Sequence, residues 1–188
     1  MTNTPRLIIG ITGSSGIIYG IRLLQILKHL PIETHLIVSK AGQLTRTYET
    51  DFSAEQLRSL ADVYHHCTDI TASIASGSFK TLGMIIAPCS MKTLGEIANG
   101  ISGNLISRAA DVVLKERRKL VLMPREAPLH LGHLKNMISI TEMGGIMYPP
   151  VPAFYTKPTS IDDLINEIIG RVLSLFDLEC GLIKPWGE

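Results

Sequence analysis

Residues 7–24, LIIGITGSSGIIYGIRLL, decide the fold of this 188-residue chain. An apolar run at positions 7–9 leads directly into a turn with glycines at positions 10, 13 and 16. Apolar residues then recur at helical spacing, at Ile17, Ile21 and Leu24. This order predicts a buried strand, a glycine turn and a helix, which together form the first unit of a parallel α/β sheet.

The glycine turn is a candidate anion site. Glycine lets a ligand approach the backbone closely, and the first N–H groups of the following helix are expected to be unpaired. Thr12, Ser14 and Ser15 add hydroxyls. The spacing matches neither G-x-G-x-x-G nor the P-loop, and no lysine follows that could grip a triphosphate. The turn therefore fits a phosphate-bearing ligand and a purely structural role equally well.

Length, charge and composition narrow the class of protein. The length predicts a single domain over residues 1–188, with a tail at about residues 177–188. A net charge of +1 offers no broad field for nucleic acid or for an anionic membrane. A hydrophobic fraction of 45% with only 5% aromatic residues predicts buried subunit interfaces, and hence a homo-oligomer.

Nothing in the sequence directs the chain to a membrane or to an oxidising compartment. No apolar run approaches the ~18 residues of a membrane span, and the N-terminus MTNTPR lacks the apolar region of a signal peptide. The cysteines, Cys67, Cys89 and Cys180, are odd in number and scattered, which argues against disulfides. These features predict a cytoplasmic protein.

Further short apolar runs alternate with amphipathic segments. Strands are predicted at residues 33–38, 84–87, 120–123 and 146–148, and helices at 41–48, 104–116 and 130–143. Ser53 with Gln56 and Ser160 with Asp163 are capping patterns, the second of which opens a final helix. Residues 63–80 are predicted to be mostly loop. The alternation predicts a single doubly wound, mostly parallel sheet flanked by helices, of the Rossmann or flavodoxin-like class.

Ligands of such sheets bind beyond the carboxyl ends of the strands. The loops expected at that edge are residues 13–15, 39–40, 88–93 and 125–128. In the last of these, Arg125 and Glu126 form a charged pair held between Pro124 and Pro128. A charged pair directly after a buried strand, restricted by two prolines, favours a functional loop.

Two further groups of polar residues have both a functional and a structural interpretation. Ser15 and Glu49 could form a hydroxyl–carboxylate proton relay, or Ser15 could cap a helix while Glu49 is solvated. Arg108 and Lys115 share one helix face, with Asp111 between them. That arrangement suits an anion site, but it is also the pattern of a surface charge ladder.

Other reactive side chains lack the companions that catalysis or metal binding requires. Cys89 could be a nucleophile, although a cysteine more often packs as a small hydrophobe. The histidine pairs at positions 65–66 and at 130 and 133 have no companion ligands at a defined spacing. Residues 162–163 do not form a D-D-x-x-D magnesium box, because position 166 is Asn. We therefore expect no metal.

Seven stretches between about Leu7 and Leu173 point to a known family: GITGSSGIIYGIRLL, HLIVSKA, ETDF, ASGSF, APCSMKTL, ISRAADVVLKERRKLVLMPREAPLH and PPVPAFY. On these stretches the chain resembles the UbiX-type flavin prenyltransferases, a group of flavodoxin-like flavoproteins related to flavin-dependent cysteine decarboxylases. The segment KERRKLVLMPREAP is highly specific, whereas the glycine turn is not. Two departures are Ser14, where the group usually has Ala, and Pro185 beside Trp186, where Arg is expected.

The resemblance implies a role for each matching residue. It implies FMN-binding positions at Gly13, Ser14, Ser15, Ser39, Ser90, Met91, Lys92, Thr93 and Arg125. It implies contacts to dimethylallyl phosphate from Arg108, Lys115, Tyr155 and Arg171. It implies catalytic roles, chiefly in proton transfer and phosphate neutralisation, for Ser15, Glu49, Glu126 and Lys115.

The resemblance also implies a reaction, in which a dimethylallyl group passes from dimethylallyl phosphate to reduced FMN, first at N5 and then at C6, without a metal. The prenylated FMN would serve a UbiD-type decarboxylase, in ubiquinone biosynthesis or phenolic acid breakdown. The assembly would be a homododecamer with sites at subunit contacts. Two alternatives stay open: a flavin-dependent aromatic acid or peptidyl-cysteine decarboxylase, and a non-enzymatic flavodoxin-like electron carrier. Carriers are usually acidic, whereas this chain is near neutral.

Overall fold

A computed structural model describes residues 4–183 of the chain, which form one six-stranded sheet with helices on both faces. The strands are β1 (Arg6–Ile11), β2 (Glu33–Val38), β3 (Val63–His66), β4 (Gly83–Cys89), β5 (Lys119–Pro124) and β6 (Ile146–Met147). Their order is β3-β2-β1-β4-β5-β6, and every neighbouring pair is parallel. The predicted doubly wound α/β class is confirmed.

Within residues 4–183, six α-helices lie between strands and a seventh follows β6. They are α1 (Ile17–Leu27), α2 (Lys40–Glu49), α3 (Ala54–Arg58), α4 (Met91–Ala98), α5 (Leu105–Lys115), α6 (Leu131–Glu142) and α7 (Ile161–Ser174). Both predicted capping boxes are present, at the starts of α3 and α7. The proline-rich loop after β6 ends in a single 3₁₀ turn, Phe154–Thr156, where the sequence predicted only extended chain.

The prediction that residues 63–80 are mostly loop is wrong at its start. Residues 63–66 form β3, which pairs with β2 through the register His35↔Val63 to Val38↔His66. This strand lies at the edge of the sheet, and its residues are only partly buried. An edge strand needs no continuous apolar run, so VYHH carried no strand signal that a sequence pattern could detect.

The core is divided between the two faces of the sheet, since side chains alternate along each strand. On one face, Ile9 of β1 packs with residues of α1 and α7. On the other, Ile8 packs with residues of α4, α5 and α6. Arg171 and Lys115, which the resemblance assigned to one phosphate site, therefore lie on opposite sides of the sheet. Helix α7 carries Arg171 on the first face, and α5 carries Lys115 on the second.

The strand order changes direction between the neighbouring parallel strands β1 and β4, because β2 and β3 lie on one side of β1 while β4, β5 and β6 lie on the other. In doubly wound sheets this switch point opens a crevice at the carboxyl edge. The loops after β1, β2 and β4 meet there. Across residues 4–183, none of the helices combines the length and apolarity that spanning a bilayer requires.

Candidate active site

The buried Thr12 side chain joins the loops that follow β1 and β4. Its hydroxyl donates to the Pro88 carbonyl at 2.9 Å and accepts from the Ser90 N–H at 2.7 Å. The sequence placed this hydroxyl among possible phosphate ligands. The structure shows instead that Thr12, 1% exposed, holds the two site loops together.

A cavity of about 770 Å³ opens beside this junction, at the carboxyl ends of the strands. Its lining includes five of the residues predicted to bind FMN: Gly13, Ser39, Ser90, Lys92 and Thr93. Apolar side chains from α2 and α5 form much of the remaining wall. This size and mixture are typical of a site for a cofactor or another organic ligand.

Helix caps position the hydroxyls of the cavity. Ser39 accepts from the Gly42 N–H at 2.9 Å at the start of α2, and Ser90 accepts from the Thr93 N–H at 3.3 Å at the start of α4. Gly13 is required by close packing, because a Cβ there would lie 2.3 Å from the Cβ of Ala41. The loops therefore meet with no room for a larger side chain at position 13.

Sequence reasoning missed several lining residues. Gln43 and Arg46 of α2, Cys67 after β3 and Asn104 before α5 all border the cavity. The α2 residues at the cavity, positions 40, 41, 43, 44, 46 and 47, spread over more than one helix face, so their spacing carried no signal that the sequence could show. Burial raises the pKa of the Cys67 thiol, so it faces the cavity as a neutral group.

The Glu49 carboxylate occupies the start of α1. It accepts from the backbone N–H groups of Gly16 at 2.8 Å and Ile17 at 3.2 Å. The prediction that these N–H groups are left for a phosphate is therefore wrong. Burial alone would raise the pKa of Glu49, but hydrogen bonds from Ser15 and from these two N–H groups, with the nearby charge of Arg125, lower the pKa overall.

The loop after β5 approaches the same edge. Ser14 donates its hydroxyl to the Arg125 carbonyl at 2.7 Å, which links the first and last site loops. The nearby positive charge of Arg125 acts to lower the pKa of both Glu49 and Tyr19. Glu126 is exposed and accepts a hydrogen bond from the Ala127 N–H at 3.2 Å. The structure thus brings Ser15, Glu49 and Arg125 together. Of the positions predicted to bind FMN, Ser14, Ser15 and Arg125 are not part of the cavity lining.

Arg171 and Tyr155 belong to a second polar cluster. Both are exposed, and they lie near the half-buried Tyr148 and the buried Glu167. This cluster combines residues from the end of β6, the proline-rich loop and α7. It lies on the same face of the sheet as α1.

Arg108 and Lys115 do not join that cluster. Arg108 pairs with Asp111 at 2.9 Å and donates to the Ala75 carbonyl at 3.3 Å, while Lys115 pairs with Glu116. Arg108 thus makes the Asp111 pair of the surface charge ladder that the sequence also allowed, whereas Lys115 pairs with Glu116 instead of Asp111. Met91 likewise does not line the cavity, but packs against the core beneath α4 and α5.

The remaining reactive side chains have structural partners. Cys89 is fully buried, and burial raises the pKa of its thiol far above the usual range, as expected for a packed side chain. His130 caps α6 by accepting from the N–H groups of Gly132 and His133. Among the described residues, no three His, Cys, Asp or Glu side chains gather in a way that could hold a metal ion.

A fully parallel α/β sheet with a mostly apolar cavity at its switch point, bordered by helix-cap hydroxyls, defines a nucleotide-binding protein of the flavodoxin-like class. The Flavoprotein family model matches residues 1–173, and the chain belongs to this family, within its UbiX-type flavin prenyltransferases.

Three comparisons support this assignment. The chain is 58% identical over 172 residues to flavin prenyltransferase UbiX of Escherichia coli strain K12, covering 91% of each chain. A crystal structure of AnUbiX (PadA1) in complex with FMN and dimethylallyl pyrophosphate matches with a TM-score of 0.97 and 48% identity over 99% of both chains. A dodecameric FMN-dependent Ubix-like decarboxylase from Escherichia coli O157:H7 matches with a TM-score of 0.95 and 49% identity, covering 97% of this chain and 100% of that one.

Proposed function

We propose that this flavin prenyltransferase transfers the dimethylallyl group of dimethylallyl phosphate to reduced FMN, forming a bond at N5 and then one at C6. The observation that carries the proposal is the strand-end cavity, which is lined by five positions that match FMN-binding positions of the family. AnUbiX, which has nearly the same fold, binds both FMN and a dimethylallyl ester of pyrophosphate.

The residues present fit FMN. Ser39, Ser90 and Thr93 offer hydroxyls at the rim, and Lys92 offers a cation for a phosphate. Ala41 and Leu44 offer an apolar wall for a flat ring. Reduced FMN, when bound, supplies the electron-rich atoms that capture the allylic carbon.

We assign the allylic phosphate to cations from two copies of the chain. Arg171 and Tyr155 lie on the α7 face, whereas Arg108 and Lys115 lie on the opposite face with α5. One chain cannot bring both groups to one phosphate without crossing the sheet. A neighbouring copy supplies the second pair, which is consistent with a homo-oligomer, and we propose a homododecamer like that of the Escherichia coli O157:H7 relative.

Two proton transfers complete the chemistry. The departing phosphate needs a proton donor, a role that we assign to Glu126 in the loop after β5. Closing the bond at C6 requires loss of the proton on that carbon. We assign the acceptance of this proton to Glu49 with Ser15, because hydrogen bonds from Ser15 and from two backbone N–H groups lower the pKa of Glu49 and so favour the carboxylate form that a general base requires.

We also propose that the reaction needs no metal, because arginine and lysine side chains neutralise the phosphate. The product would be delivered to a UbiD-type decarboxylase, in a cytoplasmic setting. The test is anaerobic incubation of the purified protein with reduced FMN and dimethylallyl phosphate, with mass analysis of the flavin. We expect the flavin to gain one C5H8 unit. An unchanged flavin, with direct decarboxylation of a phenolic acid, would contradict the proposal.

A further inference from the structure

Asn104 caps the start of α5 and borders the strand-end cavity. Its side-chain oxygen accepts hydrogen bonds from the backbone N–H groups of Ile106 at 2.9 Å and Ser107 at 3.3 Å. The same oxygen accepts from the Cys67 thiol, 3.6 Å away. Three donors around one oxygen fix which end of the amide is which. The NH2 group is therefore the end of the side chain that takes no part in the helix cap.

Glu96 of α4 accepts a hydrogen bond from this NH2 group. The Asn104 amide nitrogen donates to Glu96 Oε2 at 3.1 Å, and Glu96 Oε1 lies 3.5 Å from the Lys92 ammonium. The Glu96 side chain is only 15% exposed, whereas that of Lys92 is 81% exposed. An ion pair with so exposed a lysine contributes little, so the Asn104 amide is the partner that holds the Glu96 carboxylate in place. Of these three residues, Asn104 and Lys92 border the cavity and Glu96 does not.

The Asn104 amide has a second N–H group to donate. An amide nitrogen carries two N–H donors, and across residues 4–183 the partner of this nitrogen is Glu96 alone. The cavity wall at this point also includes Cys67 and the apolar Ile106. A polar donor that a ligand covers without pairing costs free energy. A ligand that fills the cavity is therefore expected to offer this N–H group an acceptor.

We propose that Asn104 is a further FMN-binding residue, whose second amide N–H donates to an uncharged acceptor of the flavin ring, and that Glu96 is the positioning residue that orients this amide. The inference rests on the proposed function, in which the cavity holds FMN. The nearby Glu96 carboxylate repels a phosphate, so the acceptor belongs to the ring and not to the phosphate. An amide oriented before FMN binds also loses less side-chain freedom on binding.

The first test measures the Kd for FMN of the purified protein by fluorescence titration. Asn104→Ser keeps a side chain that can cap α5 but removes the amide. We expect the Kd for FMN to rise roughly 3- to 10-fold, as for loss of one hydrogen bond. Asn99→Ser is the matched control, because Asn99 ends α4, donates to the Gly95 carbonyl at 2.8 Å and does not border the cavity. An unchanged Kd in Asn104→Ser would overturn the inference.

A swapped pair separates contact with the flavin from support of the cavity wall. Glu96→Gln combined with Asn104→Asp restores the hydrogen bond between the two side chains with donor and acceptor exchanged, and an aspartate still caps α5. Position 104 then has no amide N–H. The thermal midpoint should recover, while the Kd for FMN should stay raised. A Kd that returns to the wild-type value would show that Asn104 only supports the wall, and would overturn the inference.

If the swapped pair fails to fold, riboflavin decides, because it has the same ring as FMN and no phosphate. Asn104→Ser should weaken the binding of both flavins by the same factor. A loss confined to FMN would place the contact at the phosphate and overturn the inference.

The positioning role of Glu96 has its own readout. Glu96→Ala should raise the Kd for FMN, and Glu96→Gln, whose amide oxygen still accepts from Asn104, should restore most of the affinity. In an Asn104→Ser background, Glu96→Ala should have no further effect. A full additional loss there would overturn the role of Glu96. Failure of the wild-type protein to bind FMN would instead contradict the proposed function, an outcome distinct from variants that bind FMN as the wild type does.

Discussion

The Glu49 carboxylate accepts a hydrogen bond from the backbone N–H of Gly16 at 2.8 Å, so the last residue of α2 closes the first turn of α1. The two residues are 33 positions apart in the chain. The contact brings Ser15 beside a carboxylate whose pKa is lowered. The lowered pKa favours the carboxylate form of Glu49, which is the form that a general base requires.

Glu49→Gln is expected to stop the reaction between its two bonds. The amide oxygen can still accept from the backbone of Gly16, so the fold and FMN binding should survive. Without a general base the second step should slow by about 10²–10⁴-fold. The measurement is a crystal soaked with dimethylallyl phosphate, with the thermal midpoint as control. A closed fourth ring formed at the wild-type rate would exclude Glu49 as the base.

Lys115→Ala and Arg171→Ala should each abolish prenyl transfer while leaving FMN bound. Each removes one cation from the proposed phosphate site, a loss that typically costs ~2–5 kcal/mol when the partner charge is buried. Lys119→Ala is the control, because the Lys119 ammonium pairs with Asp177 at the surface. Measuring the Kd for FMN in the same variants checks the assignment. If both variants lost FMN binding as well, these cations would bind the phosphate of FMN and not that of the prenyl substrate.

Because Arg171 and Lys115 lie on opposite faces of the sheet, assemblies that mix the Lys115→Ala and Arg171→Ala variants test whether two copies of the chain share one site. If one site uses Arg171 of one copy and Lys115 of another, co-expressed variants should regain activity in roughly a quarter of the sites. Steady-state assays of isolated mixed assemblies measure this. No recovery above the separate variants would place both cations in one chain.

We expect FMN binding to depend on the close contact between Gly13 and Ala41. Gly13→Val should weaken FMN binding strongly, since even a Cβ would lie 2.3 Å from the Cβ of Ala41 and must push the loop after β1 away from the cavity. Gly103→Ala is the control, because its Cβ would meet nothing closer than 3.7 Å. Fluorescence titration should give one FMN per wild-type chain, with or without a chelator. Normal uptake by Gly13→Val would show that this loop does not form the site.

Stability should fall as the pH drops below about 6.5, because of His65. Burial and the nearby His35, 2.9 Å away between ring nitrogens, lower the pKa of His65, while Asp69 opposes the shift. A base whose pKa is lowered on folding stabilises the fold above its unfolded pKa, near 6.5, and this contribution is lost as the pH falls through the lower folded value. Urea unfolding at pH 7.5 and pH 5.5 measures it, and His65→Gln should flatten the dependence. An equal slope in that variant would assign the effect to another group.

The exposed apolar side of α6 should contribute to the oligomer. Leu131, Leu134 and Ile138, spaced along one face, are 65%, 43% and 56% exposed in the single chain. Replacing Leu134 and Ile138 with Lys should lower the mass measured by light scattering while the circular dichroism spectrum stays native. Glu142→Lys, one turn further along α6, controls for added charge. An unchanged mass would place the subunit contacts elsewhere.

Much of the fold could be predicted from the sequence because its signals are local. The strand at positions 33–38 matches β2, and both capping boxes form as predicted, since each depends on residues within a few positions of one another. The loops that line the cavity were likewise predicted, because carboxyl ends of parallel strands meet at one edge. Membership of the flavin prenyltransferases, first indicated by resemblance, is confirmed. The single-domain assignment over residues 1–188 stays a prediction, and Pro185 and Trp186 lie outside the described residues.

Only the tertiary structure decided which distant residues meet. Helical periodicity put Arg108 and Lys115 on one face of α5, but it could not say that Arg171 would lie across the sheet from them. Likewise, no local sequence pattern shows that the Glu49 carboxylate would accept hydrogen bonds from the backbone N–H groups at the start of α1. A sequence pattern specifies which side of an element is buried, whereas the meeting of two elements depends on the strand order and on the packing of the whole core.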